Sequence, residues 1–125
     1  MHEMVKVFKA LSDETRLRIL NLVSEKECCV CEVMQALNIS QTRASRNLGV
    51  LHDAGLLQLR KEGLWSLYSI DQRGSNPYLP ELVRVVREAL AGNEVSVLDR
   101  QRLTKAKLVG PGCGPRPAKR LQVAP

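Results

Sequence analysis

Ser40-Gln41-Thr42-Arg43-Ala44-Ser45-Arg46-Asn47-Leu48-Gly49-Val50-Leu51-His52-Asp53-Ala54-Gly55-Leu56 is the stretch that decides the fold. Ala44, Leu48 and Leu51 recur at helical spacing and mark one buried face. Ser40 is a candidate N-cap, and Gly55 can close the helix at its C-terminal end. Gln41, Thr42, Arg43, Ser45, Arg46, Asn47 and His52 are the polar positions of this helix. They combine groups that read base edges with groups that hold phosphates.

The segments on either side give that helix its setting. Upstream, Glu27-Cys28-Cys29-Val30-Cys31-Glu32 leads into a helix ending at Leu37. Asn38 can adopt the left-handed conformation that turns the chain, and Ile39 can pack inward. Further upstream, Met4 to Leu11 has an amphipathic helix pattern, and Ser12-Asp13 caps a second helix that runs to about Ser24. Downstream, Leu56 to Leu59 and Leu64 to Ile70 read as strands around the turn Arg60-Lys61-Glu62-Gly63. A helix from Pro80 to Leu90 follows. The expectation is a mainly α chain with a small β-hairpin, in other words a winged helix-turn-helix. In that motif the second helix enters the major groove and the first lies across the backbone. Arg60 and Lys61, on the hairpin turn, are expected to meet phosphates.

Composition agrees with this outline. Aromatic residues are only 3% against 44% apolar, so the core must be aliphatic, which favours packed helices over a sandwich. The 125 residues fit one domain. Residues 1–93 carry 12 Lys and Arg against 11 Asp and Glu, whereas residues 94–125 carry 7 against 2. The expected division is therefore a DNA-binding and dimerisation domain over 1–93 and a basic, Gly/Pro-rich tail over 94–125. Val95 to Val109 could continue as a helix, and the chain from Gly110 is expected to be disordered. No stretch is long enough for a bilayer span, and Met1-His2-Glu3-Met4 lacks a leader pattern. A cytoplasmic location is expected. Four cysteines there suit thiols or metal ligands better than disulfides.

Phe8-Lys9-Ala10-Leu11-Ser12-Asp13-Glu14-Thr15-Arg16-Leu17-Arg18-Ile19-Leu20 resembles the second-helix signature of the ArsR/SmtB family of metal-responsive repressors. Ser40-Gln41 with Ser45-Arg46-Asn47-Leu48 is similar to that family's recognition helix, with Asn47 where a His is more usual. Val50-Leu51-His52-Asp53-Ala54-Gly55-Leu56-Leu57 and the wing with Trp65 and Tyr68 continue the likeness, which covers about residues 4–91. The resemblance implies a homodimer joined through the first and last helices of the core. Its operator would be double-stranded DNA with an imperfect inverted repeat.

Cys29-Val30-Cys31 resembles the Cys-Val-Cys motif of the arsenic-responsive branch. As(III) and Sb(III) are soft and thiophilic, and thiolates are the matching ligands. The branch places a further Cys where this chain has Met34. Cys28 is the local candidate for a third sulfur and Cys113 in the tail is the alternative. Two-sulfur binding completed by water or an exogenous thiol is also open. Residues i and i+2 do not share a face of a regular helix. Joint binding by Cys29 and Cys31 would then require the helix start to unwind or distort, which would serve as a switch.

Other soft metals such as cadmium or lead, or oxidants, could act on the same thiols. Zinc sensing of the family's type uses Asp and His on the last core helix, and that helix has no His here. An enzyme is not expected. Cys28 and Cys31 have the Cys-x-x-Cys spacing of a thiol oxidoreductase, but the βαβ setting of such enzymes is missing.

Overall fold

A computed structural model describes residues 1–74 and 76–107. In chain order the elements are α1 (His2–Leu11), α2 (Glu14–Glu25), β1 (Cys28–Cys29), α3 (Val30–Leu37), α4 (Gln41–Asp53), β2 (Leu57–Glu62), β3 (Trp65–Ile70), α5 (Leu79–Leu90) and α6 (Glu94–Lys105).

Local chemistry sets the boundaries that matter for DNA. Asp13 caps α2, its carboxylate accepting from the Arg16 N–H at 3.1 Å. Ser40 caps α4, its hydroxyl accepting from the Arg43 N–H at 3.2 Å. Between α3 and α4, Asn38 takes φ 57° and ψ 51°, and the Ile39 N–H returns to the Met34 carbonyl at 3.1 Å. This left-handed closure ends α3 and sets the angle at which α4 departs. Ala44, Leu48 and Leu51 are fully buried, as their spacing predicts. They join Ile19, Leu20, Leu22, Val33, Ala36, Leu56 and Leu57 in one core.

The sheet is larger than a hairpin. Its order is β1-β3-β2, all antiparallel, with Cys28 opposite Tyr68 and Cys29 opposite Leu67. The two-residue strand β1 was not expected. It is too short to show a period of its own, and its partner strand defines it.

Residues 94–105, in the segment assigned to the tail, form α6 over most of the stretch expected to continue as a helix, and α6 packs on α3 and α2. Asn93 caps α6, accepting from the Ser96 N–H at 3.1 Å. Asp99, 1% exposed, receives Arg18 through Nε at 2.9 Å and Nη2 at 2.8 Å. That hydrogen bonding, more than the partial burial opposing it, holds the Arg18 guanidinium above its ordinary pKa. Arg102 donates to the Ala36 carbonyl at 2.7 Å and Arg18 to the Leu37 carbonyl at 3.5 Å. Cations thus meet the C-terminal carbonyls of α3, where the helix dipole favours them. The expected tail from residue 108 onward lies outside the described residues.

Candidate metal centre and nucleic-acid interface

Cys29 is the last residue of β1 and also the N-cap of α3, with φ −91° and ψ 169°. Its backbone is extended, so the rule that separates i and i+2 on a helix does not apply to it. Its Sγ lies 3.0 Å from the Sγ of Cys31 with α3 fully wound. The expectation that the helix start must unwind or distort to bring these two sulfurs together is therefore corrected. Both residues are buried, at 1% and 5% exposure, in a small cluster with Trp65 and Leu67 of β3.

Carboxylates border the pair. Glu32 occupies the third position of α3, where a capping-box acid belongs. Its Oε1 accepts from the Cys29 N–H at 3.0 Å, and its Oε2 receives the Lys26 ammonium at 2.9 Å. Glu27 binds Arg60 of β2 through two contacts, at 3.0 and 3.3 Å, and Arg60 also reaches Glu62 at 2.7 Å. The thiol segment is tied to the wing by strand pairing, by Trp65 and by this ion pair.

Cys28 faces the other way. Consecutive strand residues project to opposite sides of a sheet. The Cys28 thiol donates to the Lys26 carbonyl at 3.2 Å, and the residue lies in the main core at 0% exposure. Cys28 and Cys31 belong to different buried clusters. Cys113 lies outside the described residues. Among the described residues no set of three His, Cys, Asp or Glu is gathered as for a metal ion. The chemistry of the juxtaposed pair nevertheless suits a soft ion, since two sulfurs can act as a chelate without moving distant parts of the chain.

On α4, Gln41, Thr42, Arg43, Ser45 and Arg46 are exposed, and Ser40 precedes them at the helix N-terminus, also exposed. Arg43 keeps one guanidinium N–H on Thr15 Oγ at 3.0 Å. The His52 side chain is 39% exposed, with Nδ1 3.6 Å from the Asp53 carboxylate. Lys61 is exposed on β2.

Two residues expected at the DNA have partners within the chain. Asn47 is 7% exposed, accepts from Arg16 Nη1 at 3.1 Å and donates to the Arg43 carbonyl at 2.9 Å. It fastens α4 to α2. Arg60 has its charge answered by two carboxylates. Sequence reasoning missed the contacts that Glu27 and Glu32 make beside the thiols. The Cys29-x-x-Glu32 spacing of a capping box was the available signal for Glu32.

The family described as "Bacterial regulatory protein, arsR family" matches residues 13–59. An arsenical resistance operon repressor of Escherichia coli is 41% identical over 87 residues, covering 68% of this chain and 70% of that protein. The arsenic resistance transcriptional regulator ArsR2 of Pseudomonas putida is 47% identical, covering 62% of this chain and 64% of that protein. A cadmium resistance transcriptional regulatory protein, a CadC homolog of Staphylococcus aureus, is 44% identical, covering 55% and 58%. Among solved structures, the homodimeric winged helix-turn-helix DNA-binding domain Mb0332 of Mycobacterium bovis superposes with a TM-score of 0.61 at 29% identity. That match covers 74% of this chain and 82% of the other. With its winged helix-turn-helix architecture and these relatives, the chain belongs to the ArsR family of DNA-binding transcriptional regulators.

Proposed function

We propose that this regulator is a homodimeric repressor that leaves its operator when As(III) or Sb(III) binds Cys29 and Cys31. The observation that carries the reading is the 3.0 Å approach of the two sulfurs at the start of α3, the first helix of the helix-turn-helix. When bound, the ion supplies bonds to soft sulfur that hold the two thiolates in a fixed geometry.

The remaining work is done by the chain. Because α3 is already wound, ligation acts by shifting Cys29 against its strand partner Leu67, against Trp65 and against the Glu32 bond that caps α3. A shift at the strand reaches the wing directly, and a shift of α3 reaches α4 through the closure at Asn38. Linkage requires the ion to bind the DNA-free arrangement more tightly than the DNA-bound one.

Gln41, Thr42, Arg43, Ser45 and Arg46 face the major groove in this reading. Ser40 and Lys61 hold phosphates, and His52 stands at the rim. The exposed apolar residues Met4, Val5 and Phe8 of α1 and Val85 of α5 suit burial against a second copy. Two copies would place two recognition helices on the halves of an imperfect inverted repeat.

Cadmium or lead on the same thiols is the second reading, favoured by the cadmium-resistance relative. The experiment is a fluorescence-anisotropy titration of a duplex selected by the protein from a random pool, with a phosphine as reductant. Arsenite and antimonite are expected to release the duplex at lower concentration than Cd(II) or Pb(II). Release by Cd(II), Pb(II) or peroxide, with none by arsenite, overturns the arsenic reading.

A further inference from the structure

We propose that Thr15, buried at the start of α2, is a positioning residue for base readout: its hydroxyl orients the Arg43 guanidinium so that a two-pronged donor edge meets a guanine. The inference rests on the reading of α4 as the helix that enters the major groove.

Arg43 occupies the first turn of α4, just after the Ser40 cap. The first turn of a recognition helix is the part that reaches base edges. An unrestrained arginine is costly to use there, because its long side chain must give up many rotamers on binding. In this chain one orientation is already selected. Arg43 Nη2 donates to Thr15 Oγ at 3.0 Å. Thr15 is 5% exposed, so the packing around it fixes this acceptor in place.

The partner is neutral, which separates Arg43 from Arg60. Two carboxylates answer the charge of Arg60, whereas a hydroxyl leaves that of Arg43 whole. Thr15 takes one N–H of Nη2. Arginine has donors on Nε, on Nη1 and on both sides of Nη2, so a fork of two parallel donors is left on the other side. Such a fork matches O6 and N7 of guanine.

The placement of α4 does not depend on Thr15. Asn47, one turn beyond Arg43, accepts from Arg16 of α2 at 3.1 Å, and Ala44 and Leu48 are fully buried. The Thr15 hydroxyl therefore acts on the direction of one side chain, and its loss should be felt at one base pair.

The test compares affinities for the duplex selected by the protein and for its single-base variants, by fluorescence anisotropy without arsenite. Arg43→Ala locates the contact, as the base pair at which this variant no longer discriminates. Thr15→Val keeps the side-chain shape without the acceptor. It is expected to lose roughly two- to tenfold of the preference for guanine at that pair, the range for ordering one long side chain. Preferences at other pairs, and the slope of log K against log salt, should stay as in the wild type. Thr15→Ser retains the hydroxyl and should keep the preference. Adding Thr15→Val to Arg43→Ala should cost nothing more at that pair. Thr15→Ala carries the same expectations should the valine variant fail to fold. Wild-type preference in Thr15→Val overturns the proposal, as does an equal loss at every base pair or a located pair without guanine. A salt slope lower by about one in Thr15→Val also overturns it, because Arg43 would then serve a phosphate. If Arg43→Ala changes no base preference, the groove reading of Arg43 fails and takes the proposal with it, a result distinct from the others.

Discussion

The carboxylate of Glu27, one residue before the strand that carries the thiols, grips the guanidinium of Arg60 on the wing through contacts of 3.0 and 3.3 Å. Glu62 holds the same guanidinium at 2.7 Å. A wing arginine usually suggests a phosphate contact, but a cation flanked by two carboxylates adds little to the attraction for DNA. Arg60→Gln is therefore expected to leave the salt dependence of operator binding unchanged. Lys61→Gln is expected to lower the slope of log K against log salt by about one. Equal slope changes in both variants would return Arg60 to the phosphate contacts.

The Glu27–Arg60 pair cannot carry the switch alone. Partly exposed ion pairs contribute about 0.2–1 kcal/mol, whereas a hundredfold change in operator affinity needs about 2.7 kcal/mol. The strand pairing and the Trp65 packing must supply the larger part. Trp65 is the only tryptophan in the chain and shares a buried cluster with Cys29 and Cys31. Its fluorescence should change when arsenite binds and remain unchanged in Cys29→Ser. A signal of equal size in that variant would place binding elsewhere.

Asn47 joins α4 to α2 through Arg16. Asn47→Ala is expected to destabilise the fold by about 1–3 kcal/mol, the cost of leaving buried partners unsatisfied. Base preference should stay unchanged, measured as the ratio of affinities for the selected duplex and single-base variants of it. Arg46→Ala should behave in the opposite way, with little effect on thermal unfolding and a loss of discrimination. A relaxed base preference in Asn47→Ala would place its amide back in the groove.

Asp99 anchors α6 to the body through Arg18, and the two residues are 81 positions apart in sequence. Removing one partner of a buried pair costs about 3–5 kcal/mol, so Asp99→Ala should lower the denaturant midpoint strongly. A change under about 0.5 kcal/mol, typical of surface positions, would mean that α6 adds little to the fold.

Much of this architecture was legible in the sequence because its signals are local. The Ala44, Leu48 and Leu51 periodicity, the Asp13 and Ser40 caps and the Asn38 turn appear where their residues placed them. The wing differs: β2 runs through Arg60, Lys61 and Glu62, expected in the turn, because they pair with Leu67, Ser66 and Trp65 of β3. What escaped depends on partners far along the chain. Cys29 meets Cys31 because β1 pairs with β3, whose Leu67 lies far beyond any local window. Asn47 turns inward because Arg16 of α2 awaits it, although its neighbours Ser45 and Arg46 are exposed. α6 packs because Asp99 finds Arg18, a pairing that a count of basic residues cannot reveal.

The most direct test of the account is the operator dissociation constant of Cys29→Ser/Cys31→Ser, measured with and without saturating arsenite beside the wild type. Allosteric couplings of about 1–3 kcal/mol correspond to roughly 5–150-fold, and a wild-type loss in that range is expected on adding arsenite. The double variant should bind the duplex as tightly as the unliganded wild type and show no response. Release of the double variant by arsenite, or a wild type that stays bound, would contradict the claim that this thiol pair is the sensor.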